Sequence, residues 1–147
     1  MAIMNAADYI NRGFETIRPV LAEFICRELQ KKNKDSWWED LVIDKIRGTY
    51  QDHLPSSGSF DKLVKSLDIL ACLKILEINW FDIFKYVVST QQRTNAREIT
   101  DFRHRVAHPN ENPLNNEDAY RALDTMARFR FHKAGHGVQS AVSVFIV

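Results

Sequence analysis

The segment from Phe60 to Ile78 constrains this chain most. It carries Leu63, Val64, Leu67, Ile69, Leu70, Leu73, Ile75, Leu76 and Ile78, so its second half is apolar almost all round. A helix of that kind is central, and it must be covered on several sides by its own domain or by a partner subunit. The cover comes from segments with a single apolar stripe. Residues 7 to 32 place Ile10, Phe14, Ile17, Leu21, Phe24 and Ile25 at alternating steps of three and four, the spacing of an amphipathic helix. Pro19 lies inside it and predicts a kink or break near Arg18. Residues 92 to 107 form a further helix with Ile99, Phe102 and Val106 inward. A last helix, starting near Asn115 or Asn116, buries Ala119, Ala122, Leu123, Met126 and Phe129. The fold class is therefore all-α, a helical bundle with a kinked first helix and short extra helices.

Ser36 is placed to cap a short helix that opens with Trp37 and Trp38, and Ser36 to Glu39 has capping-box spacing. Gly48 is expected to end that helix, and His53 to Ser59 reads as a loop. Trp80 to Val88 combines helical and strand signals and is read as helical. His108 precedes Pro109, which pushes it out of helical geometry, so the 92–107 helix must stop there. Residues 1–133 make one helical domain; residues 134–147 form a tail whose structure the sequence leaves open, with a short strand-like run over 141–147.

With 147 residues, 45% of them hydrophobic, one core is affordable without metal or disulfide. Cys26 and Cys72 sit in apolar helical patterns and are expected to be reduced and buried. The net charge of +1 gives no long-range field for polyanions, so any RNA contact must be local. No apolar run reaches the roughly 18 residues of a membrane span and no signal peptide is visible, so a cytoplasmic protein without membrane contact is expected. His132 and His136 share a helical spacing, but no cysteine or carboxylate completes a set. No metal site and no cofactor are expected. Trp37 and Trp38 read as core residues rather than base-stacking rings. Asp68, inside the apolar helix, needs a partner, either Arg103 or a second copy of the chain.

The segment Arg97-Glu-Ile-Thr-Asp-Phe-Arg-His-Arg-Val-Ala-His108 resembles the signature of the HEPN family: an arginine, a polar residue, a short spacer, and a histidine at a helix end. Arg103, His104 and His108 fill those places. The resemblance extends to Ile17-Arg-Pro-Val20, Cys26-Arg-Glu-Leu29, Ser36-Trp-Trp-Glu-Asp-Leu41, Leu67 to Leu76 and Asp118 to Arg128, covering most of residues 10 to 130. It is similar to the HEPN branch at the N-terminus of large prokaryotic predicted ATPases, found also in a eukaryotic nuclear RNA-surveillance endoribonuclease. That branch has asparagine after the motif arginine where this chain has His104; other HEPN proteins accept histidine there.

The resemblance implies a homodimer paired along this helix. It further implies metal-independent RNA cleavage by 2′-hydroxyl attack, leaving 2′,3′-cyclic phosphate ends, in a defence or toxin-like system. His108 would move protons, Arg103 would clamp phosphate, and His104 would support them; Arg93, Arg97 and Arg105 are read as solvent-facing RNA contacts. Five helical steps turn about 140°, so Arg103 and His108 share a face only if the Pro109 stop frees His108. The alternative is a non-catalytic helical dimerisation or RNA-sensing module of a larger ATPase-containing protein, built on the apolar faces around Leu70, Leu73 and Leu76. In the bland reading, Arg103 pairs with Asp101 or Glu98 and His108 only caps a helix.

Overall fold

A computed structural model describes residues 4–46 and 54–129. The expected tail, its strand-like run, His132, His136 and the helix end at Gly48 lie outside the described residues. Among the described residues there is no strand, and no helix is long and apolar enough to cross a membrane.

Helix α1, Ala6–Lys32, opens on a reciprocal cap: the Asn5 side chain accepts from Asp8 N–H at 2.9 Å, and the Asp8 carboxylate accepts from Asn5 N–H at 3.1 Å. It runs through Pro19 without a break. Pro19 and Glu15 both lie on its exposed side, so the carbonyl that Pro19 cannot serve sits beside water.

The capping box expected at Ser36 does not form. The Ser36 hydroxyl lies between the Asn33 amide oxygen (3.1 Å) and the Asp40 carboxylate (2.8 Å), and Asn33 itself accepts from Ser36 N–H. Asparagine three residues earlier is an equally good cap and already ends α1, so it takes the role. The next segment, Trp38–Ile43, is wound as a π-helix, with Asp44 N–H donating to the Glu39 carbonyl five residues back. It continues into the single turn α2, Asp44–Ile46. Trp37 and Trp38 are both buried, edge to face at 5.6 Å, and the Trp38 indole donates to the Pro55 carbonyl at 2.8 Å. They are core residues, as their sequence context implied.

The long central helix is in fact two, α3 (Phe60–Ser66) and α4 (Ile69–Ile78). Asp68 causes the division: its carboxylate accepts from Ala71 N–H at 2.8 Å and caps α4, which leaves Leu67 extended. The Leu67 carbonyl, lost to the helix ladder, accepts from Arg18 at 3.1 Å. Asp68 is exposed, and its carboxylate serves the start of α4 as a helix cap.

Helix α4 is covered by its own chain: α1, α2 and helix α5 (Thr90–Ala107) pack on it, and Leu73 and Leu76 are buried. Residues 80–88, read as helical, form turns with one short 3-10 helix, Phe84–Tyr86. The buried Asn79 begins this departure, its carbonyl accepting from both Ile83 and Phe84 while its amide donates to the Leu41 and Ile75 carbonyls.

Helix α6, Asn116–Arg128, closes the bundle against α1 and α5. Its approach to α1 depends on Gly13, where an added Cβ would lie 2.6 Å from the sulfur of the fully buried Met126. Cys26 and Cys72 are buried free thiols; burial pushes the Cys26 thiol up to about 12 and Cys72 further still, so neither is a nucleophile at neutral pH.

Candidate functional site

The site is built on α5. Ser89 caps it, accepting from Gln92 N–H at 3.1 Å, and Asn95, Ala96, Ile99 and Phe102 anchor it in the core. Its far end behaves as the His-Pro step dictates. The helix ends at Ala107, and His108 takes a non-helical conformation (φ −129°, ψ 65°) while its N–H still reaches the His104 and Arg105 carbonyls.

Three side chains meet solvent at this end. Arg103 is half-buried and forms no hydrogen bond or ion pair among the described residues. The exposed rings of His104 and His108 lie 4.4 Å apart, tilted by 40°. His104 Nε2 is 3.7 Å from the Glu111 carboxylate, with both side chains about two-thirds exposed. The released His108 ring therefore rests on His104, one helical turn back, and no hydrogen bond joins it to Arg103. The bland pairing is not found either. Glu98 accepts from Arg121 (2.7 Å) and Thr125 (3.0 Å), and Asp101 makes no ion pair among the described residues.

The three arginines expected to face solvent are placed differently. Arg105 is about four-fifths buried and donates to both Asp118 carboxylate oxygens (3.2 and 2.9 Å), the Pro113 carbonyl (2.9 Å) and the Asn112 carbonyl (3.4 Å). Asp118 also closes a capping box with Asn115 at the start of α6. The hydrogen bonds from Arg105 and from Asn115 N–H hold its carboxyl below the usual aspartate range, against a smaller opposing effect of burial. Arg105 thus ties the loop after Pro109 to both helices.

Arg93 and Arg97 converge on Glu77 at the end of α4. Arg93 donates at 2.8 and 3.3 Å, and Arg97 from two nitrogens to one carboxylate oxygen. Burial works to raise the Glu77 carboxyl, but the bonds from the two guanidinium groups outweigh it and hold the group below its ordinary value. Arg97 is the most exposed of the three, at 60%.

Two grooves flank the outer ridge of α5. One, about 690 Å³, lies between α5 and α6 and includes Arg97, Asp101, His104, Arg105 and Arg121 in its lining. The other, about 400 Å³, lies between α4 and α5 and includes Lys74, Glu77, Arg97, Thr100 and Asp101. Arg103 and His108 line neither. Among the described residues no group of histidine, cysteine and carboxylate side chains has the arrangement of a metal site.

Sequence reasoning missed the roles of Glu77 and Asp118. Glu77 gave no local signal, because its partners are 16 and 20 residues away. Asp118 was visible as a favourable first-turn residue of α6, but its bond to Arg105 spans 13 residues and depends on the packing of α5 on α6.

The Swt1-like HEPN family model matches residues 12–131. No curated protein and no solved structure matches this chain.

Proposed function

This chain belongs to the Swt1-like HEPN family, and on that footing we propose that it is a metal-independent endoribonuclease domain working as a homodimer. The observation that carries the reading is a contrast on one helix end. Arg103 is a half-buried cation with no carboxylate partner among the described residues, on the same helix end as two exposed imidazoles in contact. A guanidinium that no anion among the described residues answers is available to a phosphate, which it can grip through two parallel N–H donors.

In the proposed step an imidazole takes the proton of a ribose 2′-hydroxyl, the oxygen attacks phosphorus, and the bond from phosphorus to the 5′-oxygen breaks. A second imidazole gives that oxygen a proton. The products are a 2′,3′-cyclic phosphate and a 5′-hydroxyl, and atoms and charge balance without a metal or an oxidant. His108 is the proton-transfer group, Arg103 carries the phosphate charge, and His104 holds the His108 ring through the 4.4 Å contact. A second copy, paired along α5 about a two-fold axis, supplies the other histidine and arginine.

The test is cleavage of single-stranded RNA by the purified protein in EDTA, beside Arg103→Ala and His108→Ala. We expect loss of cleavage in both with unchanged helicity and melting temperature, and a dimer in sedimentation. Cleavage that survives both substitutions removes the assignment. RNA binding without cleavage by the unaltered protein favours a sensing module attached to an ATPase-containing parent.

A further inference from the structure

At the opposite end of α5 the described structure carries a second feature that the cleavage reading does not use. The Arg93 guanidinium lies 5.0 Å from the centre of the Trp80 ring and 5.1 Å from that of Phe81; the Lys85 ammonium lies 5.8 Å from Phe81 and 5.1 Å from Tyr86. Ring and cation alternate from Trp80 to Arg93, Phe81, Lys85 and Tyr86. Trp80 is buried, but Phe81 is 66% and Tyr86 72% exposed, with Ile78 also at the surface. Two aromatic rings this open, five residues apart, form an apolar patch that the described residues leave uncovered.

We propose that this ladder is a base-stacking platform for single-stranded RNA that runs along α5 toward Arg103 and His108. The proposal rests on the RNA reading given above. Each exposed ring offers a face to a nucleobase, and the interleaved cations meet the phosphates between bases, which is how strands are held without sequence preference.

Charge favours this occupant. Along the ladder and the α4–α5 groove five cations, Lys45, Lys74, Lys85, Arg93 and Arg97, face three carboxylates, Glu77, Asp82 and Asp101. Lys85 has no ion pair among the described residues. A folded protein seated here would bury that ammonium between two rings with no anion to answer it, at a cost that a phosphate removes.

Position favours it too. Arg93, Arg97 and His104 follow one another on α5 at steps of four and seven residues, so they share one stripe. Eleven residues of helix span roughly 16 Å, a few nucleotides of strand. The α4–α5 groove covers the middle of that interval, with Ala96, Arg97, Thr100 and Asp101 on its α5 side.

The experiment measures binding rather than cleavage. A short, labelled 2′-O-methyl oligoribonucleotide, which has no free 2′-hydroxyl to attack, is titrated with the unaltered protein and with the double variant Phe81→Ala/Tyr86→Ala. An abasic strand with the same number of phosphates is the control. The double variant is expected to bind the base-bearing strand at least about tenfold more weakly and the abasic strand equally, and Tyr86→Phe to restore the second ring's share. Equal affinity of both proteins for the base-bearing strand overturns the platform. So does a parallel loss on the abasic strand, absence of binding by the unaltered protein, or a change from dimer to monomer in the double variant, which would make the patch a contact between copies. Failure of the cleavage reading shows elsewhere, as cleavage that persists in Arg103→Ala.

Discussion

Arg105 and Arg103 stand two residues apart on α5 and have opposite fates. Arg105 faces α6, where it is mostly buried and answered by Asp118 and two loop carbonyls. Arg103 lies on the flank away from that groove and is answered by nothing among the described residues. The same holds for the two sides of the helix. Toward α6 charges are matched within the fold, Glu98 with Arg121 and Asp118 with Arg105. At the end that the proline terminates, Arg103 has no ion pair among the described residues, and two exposed imidazoles rest on each other with Glu111 3.7 Å from one of them. A charge matched one to one and largely buried, like Arg105, contributes to stability and is less available to a ligand. An unmatched one contributes little to stability and is free to bind.

That contrast is breakable by experiment, most sharply at Arg103. Arg103→Ala is expected to lower RNA cleavage by about 10²–10³-fold, as removal of a charge-stabilising donor does, and to move the melting temperature by less than about 2 °C. A large fall in melting temperature with unchanged cleavage would invert the comparison. His108→Ala should cost at least about 10²-fold in cleavage, again with little change in stability, measured on the same RNA in EDTA.

Arg105→Ala should do the reverse. It leaves Asp118 without its main partner and unties the loop after Pro109, so destabilisation of about 2 kcal/mol is expected from denaturant unfolding. Residual cleavage, measured well below the melting temperature, should exceed that of Arg103→Ala.

Acid provides a test without mutation. Because the Asp118 carboxyl is held below its ordinary value, its contribution to stability is full above the unfolded value of about 3.9 and is lost as pH falls through the lower folded value. Amide exchange at Asn115 to Ala119 is therefore expected to accelerate below about pH 4 before exchange in the core of α1. Arg97→Ala should have the smallest effect: its bridge to Glu77 is 60% exposed on the arginine side, so the stability change should stay within about 0.5 kcal/mol, while RNA affinity falls modestly.

Much of this arrangement was legible in the chain. Helix ends are set by short-range chemistry, so the stop at His108-Pro109 and the start at Asn115 fall where the residues require. The motif residues Arg103, His104 and His108 were legible for the same reason, since they cluster at one such end. Asp68 misled because an aspartate in an apolar run reads either as a buried charge or as a cap, and only the bend at Leu67 selects the cap. Ser36 misled because two good capping residues three apart compete, and Asn33 was already fixed by the end of α1.

By itself the sequence determined most of the helical segments, where most of them end, which faces seek the core and which family signature the chain carries. Those are decided within about four residues, the reach of a helical turn or a capping side chain. Only the packed structure decided which charges are matched. Glu77 meets Arg93 and Arg97, and Asp118 meets Arg105, because α4, α5 and α6 cross at particular depths and angles. Arg103 is left over by that same packing, and no spacing rule along the chain could have distinguished it from Arg105.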